Sequence, residues 1–313
     1  MPPHPRHFLA TALLSFATVT VPLEAAGATP PPTSNAPQAH VDDIAHRGAS
    51  GYAPENTLAA VRLGVEQGAD LVEIDIQRTA DGALVVMHDT TLARTTDAEE
   101  IFPNRAPWNV GDFTLAELQL LDAGSWFSEE FAGEPIPTLD QVLETLRGRA
   151  GLLLEVKSPS LYPGIAEDIL DTLESYPGFS NAAARAGRLV VQSFDYGFME
   201  AFNALAPDVP VGLLGGPPSD DVLVEVSAWA DQINPQYRTV DRALVERVHE
   251  LGMTISVYTV NQEDDMRAMI DLGVDGIITN YPARLEQVLE QRAEAGPRRG
   301  GRPAGTPVAV EAA

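Results

Sequence analysis

Short apolar runs alternate with helical patterns from Asp42 to about Ala295. The runs are Asp42–His46, Leu71–Gln77, Leu84–His88, Leu152–Lys157, Leu189–Phe194, Val209–Leu214, Gln232–Pro235, Thr254–Val260 and Gly276–Asn280. They are rich in Val, Ile and Leu with little alternation, as expected of strands buried on both faces of a parallel sheet. Amphipathic stretches lie between most of them: Asn56–Gln67 before Gly68, Thr138–Arg147 before Gly148, Asp241–Leu251 before Gly252, and Glu263–Leu272 before Gly273. Each glycine stands just past the last turn, where it can take the left-handed conformation that ends a helix. Strand and helix alternating over roughly 250 residues predict an α/β fold, a (β/α)8 TIM barrel.

Nine runs are one too many for that barrel. The link Arg78–Ala83 between the second and third runs is too short for a parallel crossover, and its Asp81-Gly82 pair favours a hairpin. Leu84–His88 is therefore expected as a β-hairpin flap after the second strand, which leaves eight strands for the barrel. The longest gap, Asp89 to Gly151, holds Trp108, Trp126, Phe127 and Phe131, and a capped helix starting near Thr114 with Glu117 at the capping-box spacing. It reads as an elaborated loop over the barrel mouth.

The two ends lack this periodicity. Arg6 precedes a mostly apolar stretch, Phe8–Leu23, and Ala26-Gly27-Ala28 offers small residues for cleavage. Residues 1–28 read as a signal peptide, too short for a confident membrane span, and predict a secreted protein with no stable membrane insertion after cleavage. Residues 29–41 form a Pro-rich linker, 42–295 the barrel, and 296–313 a disordered tail. The net charge of -25 disfavours nucleic acid and anionic membrane as partners, since both require a basic face. The absence of cysteine excludes disulfides, thiolate catalysis and zinc–thiolate sites.

In such a barrel the chemistry stands at the C-terminal ends of the strands. Glu73 and Asp75 are two apart on one run, so they share a face; Glu155 and Lys157 do the same on another. Three acids inside apolar strands are costly unless paired or metal-bound. Converging on one mouth, they make an oxygen site for one divalent cation, Ca2+ or Mg2+. The alternative is ion pairing with Arg47, Arg78 or Lys157. Lys157 is the only lysine of the chain, a compact charge suited to a phosphate oxygen or to pairing with Glu155. Of six histidines, His46 and His88 end the first strand and the flap, the placement of an acid–base pair. His46 is followed by Arg47, a fixed cation able to clamp phosphate. Together these residues point to metal-assisted chemistry on a phosphate ester.

The segment His46-Arg47-Gly48-Ala49-Ser50-Gly51-Tyr52-Ala53-Pro54-Glu55-Asn56-Thr57 resembles the opening signature of the glycerophosphodiester phosphodiesterase family. Glu73-Ile74-Asp75-Ile76-Gln77, Asp81-Gly82, His88-Asp89, Glu155-Val156-Lys157, Gln192-Ser193-Phe194, Tyr258-Thr259-Val260-Asn261 and Thr279-Asn280-Tyr281-Pro282 are similar to its later blocks, in order. The resemblance covers about Asp42 to Leu289. It implies that Glu73, Asp75 and Glu155 bind the divalent ion, that His46 and His88 are general acid and base, and that Arg47 and Lys157 hold the phosphate. Tyr258 stands where the family often has tryptophan, which implies a smaller aromatic contact to the substrate. Asn56 is expected to cap the first helix. The implied substrate is a small glycerophosphodiester such as glycerophosphocholine. The rival readings are a lysophospholipase D-type enzyme, with an acyl channel built from the Trp108–Phe131 loop, an inositol-phospholipid lyase, which the acid set and the blocks fit less well, and a non-catalytic binding barrel.

Overall fold

A computed structural model describes residues 40–179 and 187–295. The expected signal peptide, nearly all of the expected linker and the expected tail lie outside the described residues. Nine strands form one sheet: β1 (Asp42–Ala45), β2 (Leu71–Arg78), β3 (Leu84–Val86), β4 (Gly151–Val156), β5 (Leu189–Ser193), β6 (Val211–Gly215), β7 (Gln232–Pro235), β8 (Thr254–Val257) and β9 (Gly276–Thr279). All are paired in parallel except β3, which runs antiparallel to β2 with Ile76 opposite Val86. β1 pairs with both β9 and β2, so the other eight strands close into a barrel. The flap is therefore real, and the short Asp81-Gly82 link is what makes it antiparallel.

Helices α1 (Leu58–Glu66), α4 (Leu139–Leu146), α5 (Ile165–Glu174), α6 (Tyr196–Leu205), α7 (Asp220–Val226), α8 (Arg242–Glu250), α9 (Glu263–Leu272) and α10 (Pro282–Ala295) follow the barrel strands. Two short helices, α2 (Ala98–Ile101) and α3 (Leu115–Leu118), lie in the long segment after the flap. Thr114 and Thr138 each close a capping box, with Glu117 and Gln141. Gly68, Gly148, Gly252 and Gly273 all take positive φ, as their positions require.

The strands look uniformly apolar because their two faces are buried differently. One set of alternate residues, including Val72, Ile74, Leu152, Leu154, Val191, Leu213 and Ile277, packs under the helices in the main core. The other set faces the barrel axis. There Ile44, Leu71, Leu153 and Ile278 plug the interior. The next positions along those inner faces are Glu73 and Asp75 on β2 and Glu155 on β4, at the C-terminal side of the plug. Period-two alternation thus carries apolar packing outward and polar chemistry inward and upward.

The segment after the flap builds a small core of its own. Phe113, Leu118, Leu121, Val110 and Ile136 pack with Val85 and Met87 of the flap. Trp108 joins that core and donates its indole N–H to Phe102 O at 2.8 Å. Trp126, Phe127 and Phe131 stack edge-on, with centroids 5.7 and 5.8 Å apart.

Candidate active site

The first turn after β1 is held open by backbone geometry. Arg47 has φ 56° and Gly48 φ 79°. A Cβ on Gly48 would lie 2.4 Å from the carbonyl carbon of Ala60, so glycine lets α1 approach the turn. The left-handed Arg47 is locked by two bonds: its N–H donates to Glu73 Oε2 at 2.8 Å, and its carbonyl accepts the Asn56 N–H at 3.0 Å. Its side chain reaches Glu55 Oε1 at 2.7 Å and Asp75 Oδ2 at 3.4 Å.

Asn56 does not cap α1. Thr57 is the cap, accepting the Ala60 N–H. Asn56 instead turns back at φ 60° and clasps Asp75: its Nδ2 donates to Oδ2 at 2.7 Å, and its Oδ1 accepts the Asp75 N–H at 3.2 Å. The asparagine tolerates a left-handed backbone, which frees its amide for this task.

Glu73, Asp75 and Glu155 are all buried, and each offers an oxygen within 4.8 Å of the others. Burial drives the Glu73 carboxyl well above the usual range, and Asp75 and Glu155 beside it push the same way. Burial and Asp75 raise Glu155 to about 7, against the pull of Lys157. Asp75 goes the other way: burial opposes its ionisation, but Arg47 and Lys157 outweigh it. Asp75 Oδ1 is buried with no hydrogen-bond partner. Three crowded carboxylates and an orphan oxygen fit a hard cation, which prefers several oxygen ligands and would relieve the repulsion among them. The ion-pair alternative is also present: Lys157 Nζ lies 2.6 Å from Glu155 Oε1 and 3.7 Å from Asp75 Oδ1. It satisfies part of the charge and leaves Glu73 to Arg47.

A cavity of about 200 Å³ opens above this cluster. His46, Arg47, His88, Lys157 and Tyr258 all line it, together with Glu73 and Glu155. Every residue predicted for the site is brought together, Asp75 lying beneath the floor. Tyr258 packs edge-on to Phe194 at 6.1 Å, and Phe194 lies 5.6 Å from Lys157 Nζ. None of the aromatics from Trp108 to Phe131 lines the cavity, so the loop does not supply an acyl channel there.

The two histidines have opposite surroundings. His46 Nδ1 meets the side-chain oxygen of Asn280 at 2.6 Å. That oxygen can only accept, which places the proton on Nδ1 and leaves Nε2 with a lone pair. Burial and the adjacent Arg47 lower His46 to about 4. His88 Nδ1 instead meets the Asp89 carboxylate at 2.6 Å. Arg94 hydrogen-bonds Asp89 and holds it down at about 2. Gln77 ties the flap to β2, donating to the carbonyls of Met87 at 2.8 Å and Asp89 at 2.6 Å. Tyr162 in turn donates to Gln77 Oε1 at 2.9 Å.

The profile of the Glycerophosphoryl diester phosphodiesterase family matches residues 46–284. The chain belongs to this family. It is similar to a glycerophosphodiester phosphodiesterase of Bacillus subtilis, 36% identical over 78% of this chain and 85% of that one. It is 39% identical to a glycerophosphodiester phosphodiesterase of Caldanaerobacter subterraneus, over 79% and 97% of the two chains. A solved phosphodiesterase from Oleispira antarctica, in complex with the product sn-glycerol-3-phosphate, superposes with a TM-score of 0.69. It is 30% identical and covers 79% of this chain and 96% of its own. The family's barrel and the ordered blocks expected from the sequence are thus both present. The supporting roles of Asn56, Gln77, Asn280, Glu55 and Arg94 were not foreseen. All but Arg94 sit inside those blocks, which was the available signal.

Proposed function

We propose that the chain is a divalent-metal-dependent glycerophosphodiester phosphodiesterase. It would release sn-glycerol 3-phosphate and an alcohol from small diesters such as glycerophosphocholine, with His46 as first base and His88 as first acid. Family membership supports phosphoric diester hydrolysis. The observation that carries the mechanism is the contrast between the two histidines lining one cavity, one on a neutral amide and one on an ionised carboxylate.

His46 is neutral at pH 7 with Nε2 free, so it can take the proton of the glycerol 2-hydroxyl as that oxygen attacks phosphorus. Asp89 fixes a proton on Nδ1 of His88 and shares the positive charge when Nε2 is also protonated, so His88 can protonate the departing alkoxide. Arg47 and Lys157 face the cavity as fixed cations and stabilise the charge added at phosphorus. The cyclic ester then opens by the reverse exchange: His88 takes a proton from water, and His46 returns its proton to the 2-oxygen. A divalent ion held by Glu73, Asp75 and Glu155 would neutralise phosphate charge and acidify the attacking hydroxyl.

The test uses the full chain, stripped with EDTA and given glycerophosphocholine with Ca2+ or Mg2+ restored separately. Glycerol 3-phosphate is followed with a coupled dehydrogenase. Metal-dependent release is expected, and the more effective ion names the cofactor. Folded protein giving no product with either ion would overturn the reading. The apolar Phe8–Leu23 stretch and the small residues at Ala26–Ala28 support export. A mature N-terminus near Thr29, found outside the cytoplasm, is the expected result.

A further inference from the structure

Arg94 lies in the segment between the flap and α2, and it does not line the cavity. Its guanidinium makes two bidentate contacts. Nε donates to Asp89 Oδ2 at 2.5 Å and Nη2 to Asp89 Oδ1 at 3.1 Å. Nη1 donates to Glu55 Oε2 at 3.0 Å and Nη2 to Glu55 Oε1 at 2.7 Å. The two oxygens sharing Nη2 are the ones with a second duty. Asp89 Oδ1 holds His88 Nδ1, and Glu55 Oε1 accepts from Arg47 Nη1 at 2.7 Å. One nitrogen therefore joins the proton-donating histidine to the phosphate-facing arginine.

We propose that Arg94 is a positioning residue for the proposed reaction: it aims Asp89 at His88 and so sets the proton donor, while Glu55 anchors it to the Arg47 side of the site. This rests on His88 being the acid.

Isolated surface ion pairs contribute little, but a planar fork shared by two carboxylates fixes direction as well as charge. Without the guanidinium, Glu55 and Asp89 would face each other as like charges. Glu55 would stay, since Arg47 still holds it and its side chain is 16% exposed. Asp89 is 29% exposed and would keep only the His88 ring as a partner among the described contacts, so it would be free to swing and turn that ring with it. The His88 ring would then lose the partner that orients it, while the Arg47 side of the site would be preserved.

The test exploits the leaving group. From glycerophosphocholine, choline departs as an alkoxide that needs a proton; from the p-nitrophenyl ester of glycerol phosphate, nitrophenol departs as a phenolate that does not. Arg94→Ala, Arg94→Gln and His88→Ala are assayed on both, in the metal-replete full chain, with folding checked by circular dichroism; release of the first alcohol is read in a single turnover, before the cyclic-ester opening that also uses His88. The Arg94 variants are expected to slow choline release at saturating substrate by a factor on the order of 10 to 100, with the half-saturating concentration nearly unchanged. On the nitrophenyl ester they should lose less than roughly threefold. His88→Ala should show the same selectivity, more strongly. If His88→Ala is selective and both Arg94 variants are not, Arg94 does not act through His88 and the proposal fails alone. If His88→Ala is itself unselective, the acid assignment fails and takes the role of Arg94 with it.

Discussion

Asp43 lies on β1, on the helix-facing side, fully buried, and neither of its carboxylate oxygens has a hydrogen-bond partner. Burial, with Asp70 and Glu286 nearby, raises it from 3.8 to about 8. The folded protein therefore keeps a proton at pH 7 that the unfolded chain releases. The associated stability is fully present below the unfolded value and is lost as pH rises through the folded one. Each unit between 3.8 and the working pH costs about 1.4 kcal/mol, or about 4 kcal/mol at pH 7. Asp43→Asn keeps the shape and removes the titration. Allowing for relaxation around the site, the variant should gain about 2–4 kcal/mol at pH 7, a rise in Tm of roughly 4–15 °C for a domain of this size. Melts of both proteins from pH 5.5 to 9 test this. The gap should widen up to about pH 8 and then level off. A gap that stays constant with pH, or a variant less stable at pH 7, would refute the reasoning.

Other perturbations address the site. His46→Ala should lower turnover on glycerophosphocholine by a factor on the order of 100 to 10000 with little change in the melting curve, read by steady-state kinetics. Divalent ion should raise Tm in a concentration-dependent way, by RT ln(1 + [L]/Kd), and Asp75→Asn should abolish most of that rise; calorimetry reads both without reference to activity. Gly48→Ala should destabilise by about 2 kcal/mol or more, because the new Cβ meets backbone atoms of Ala60 in a left-handed turn; a neutral melt would show that α1 can retreat.

Local pattern carried the architecture. Each strand run overlaps an observed strand, because Val, Ile and Leu runs ending in turn residues have few other fates in an α/β chain. The hairpin followed from a link too short to cross over. The catalytic candidates stood out because charge inside an apolar strand is costly enough to need a reason. What the pattern could not carry was partnership over distance. His46 and Asn280 are separated by 234 positions, and only barrel closure between β1 and β9 makes them neighbours. The residue type of Asn56 suits a helix cap; its left-handed backbone, invisible in sequence, hands the capping to Thr57. The identity of the metal and the fate of residues 1–28 depend on groups and events outside the fold.

The flap straddles two hydrophobic clusters: Leu84 and Val86 pack in the main one, on whose strands the three acids stand, while Val85 and Met87, next to His88, pack in the smaller one. A molecule with two clusters can lose them one at a time. On gentle heating, the region around Phe113 and Met87 would open first, carrying His88 off its station while the barrel stayed shut. Hydrolysis would then cease below the temperature of global unfolding and return on cooling, with ion binding intact throughout. Amide exchange should find the earliest loss of protection between residues 87 and 136. Inactivation of this kind is a reversible disarming, distinct from denaturation.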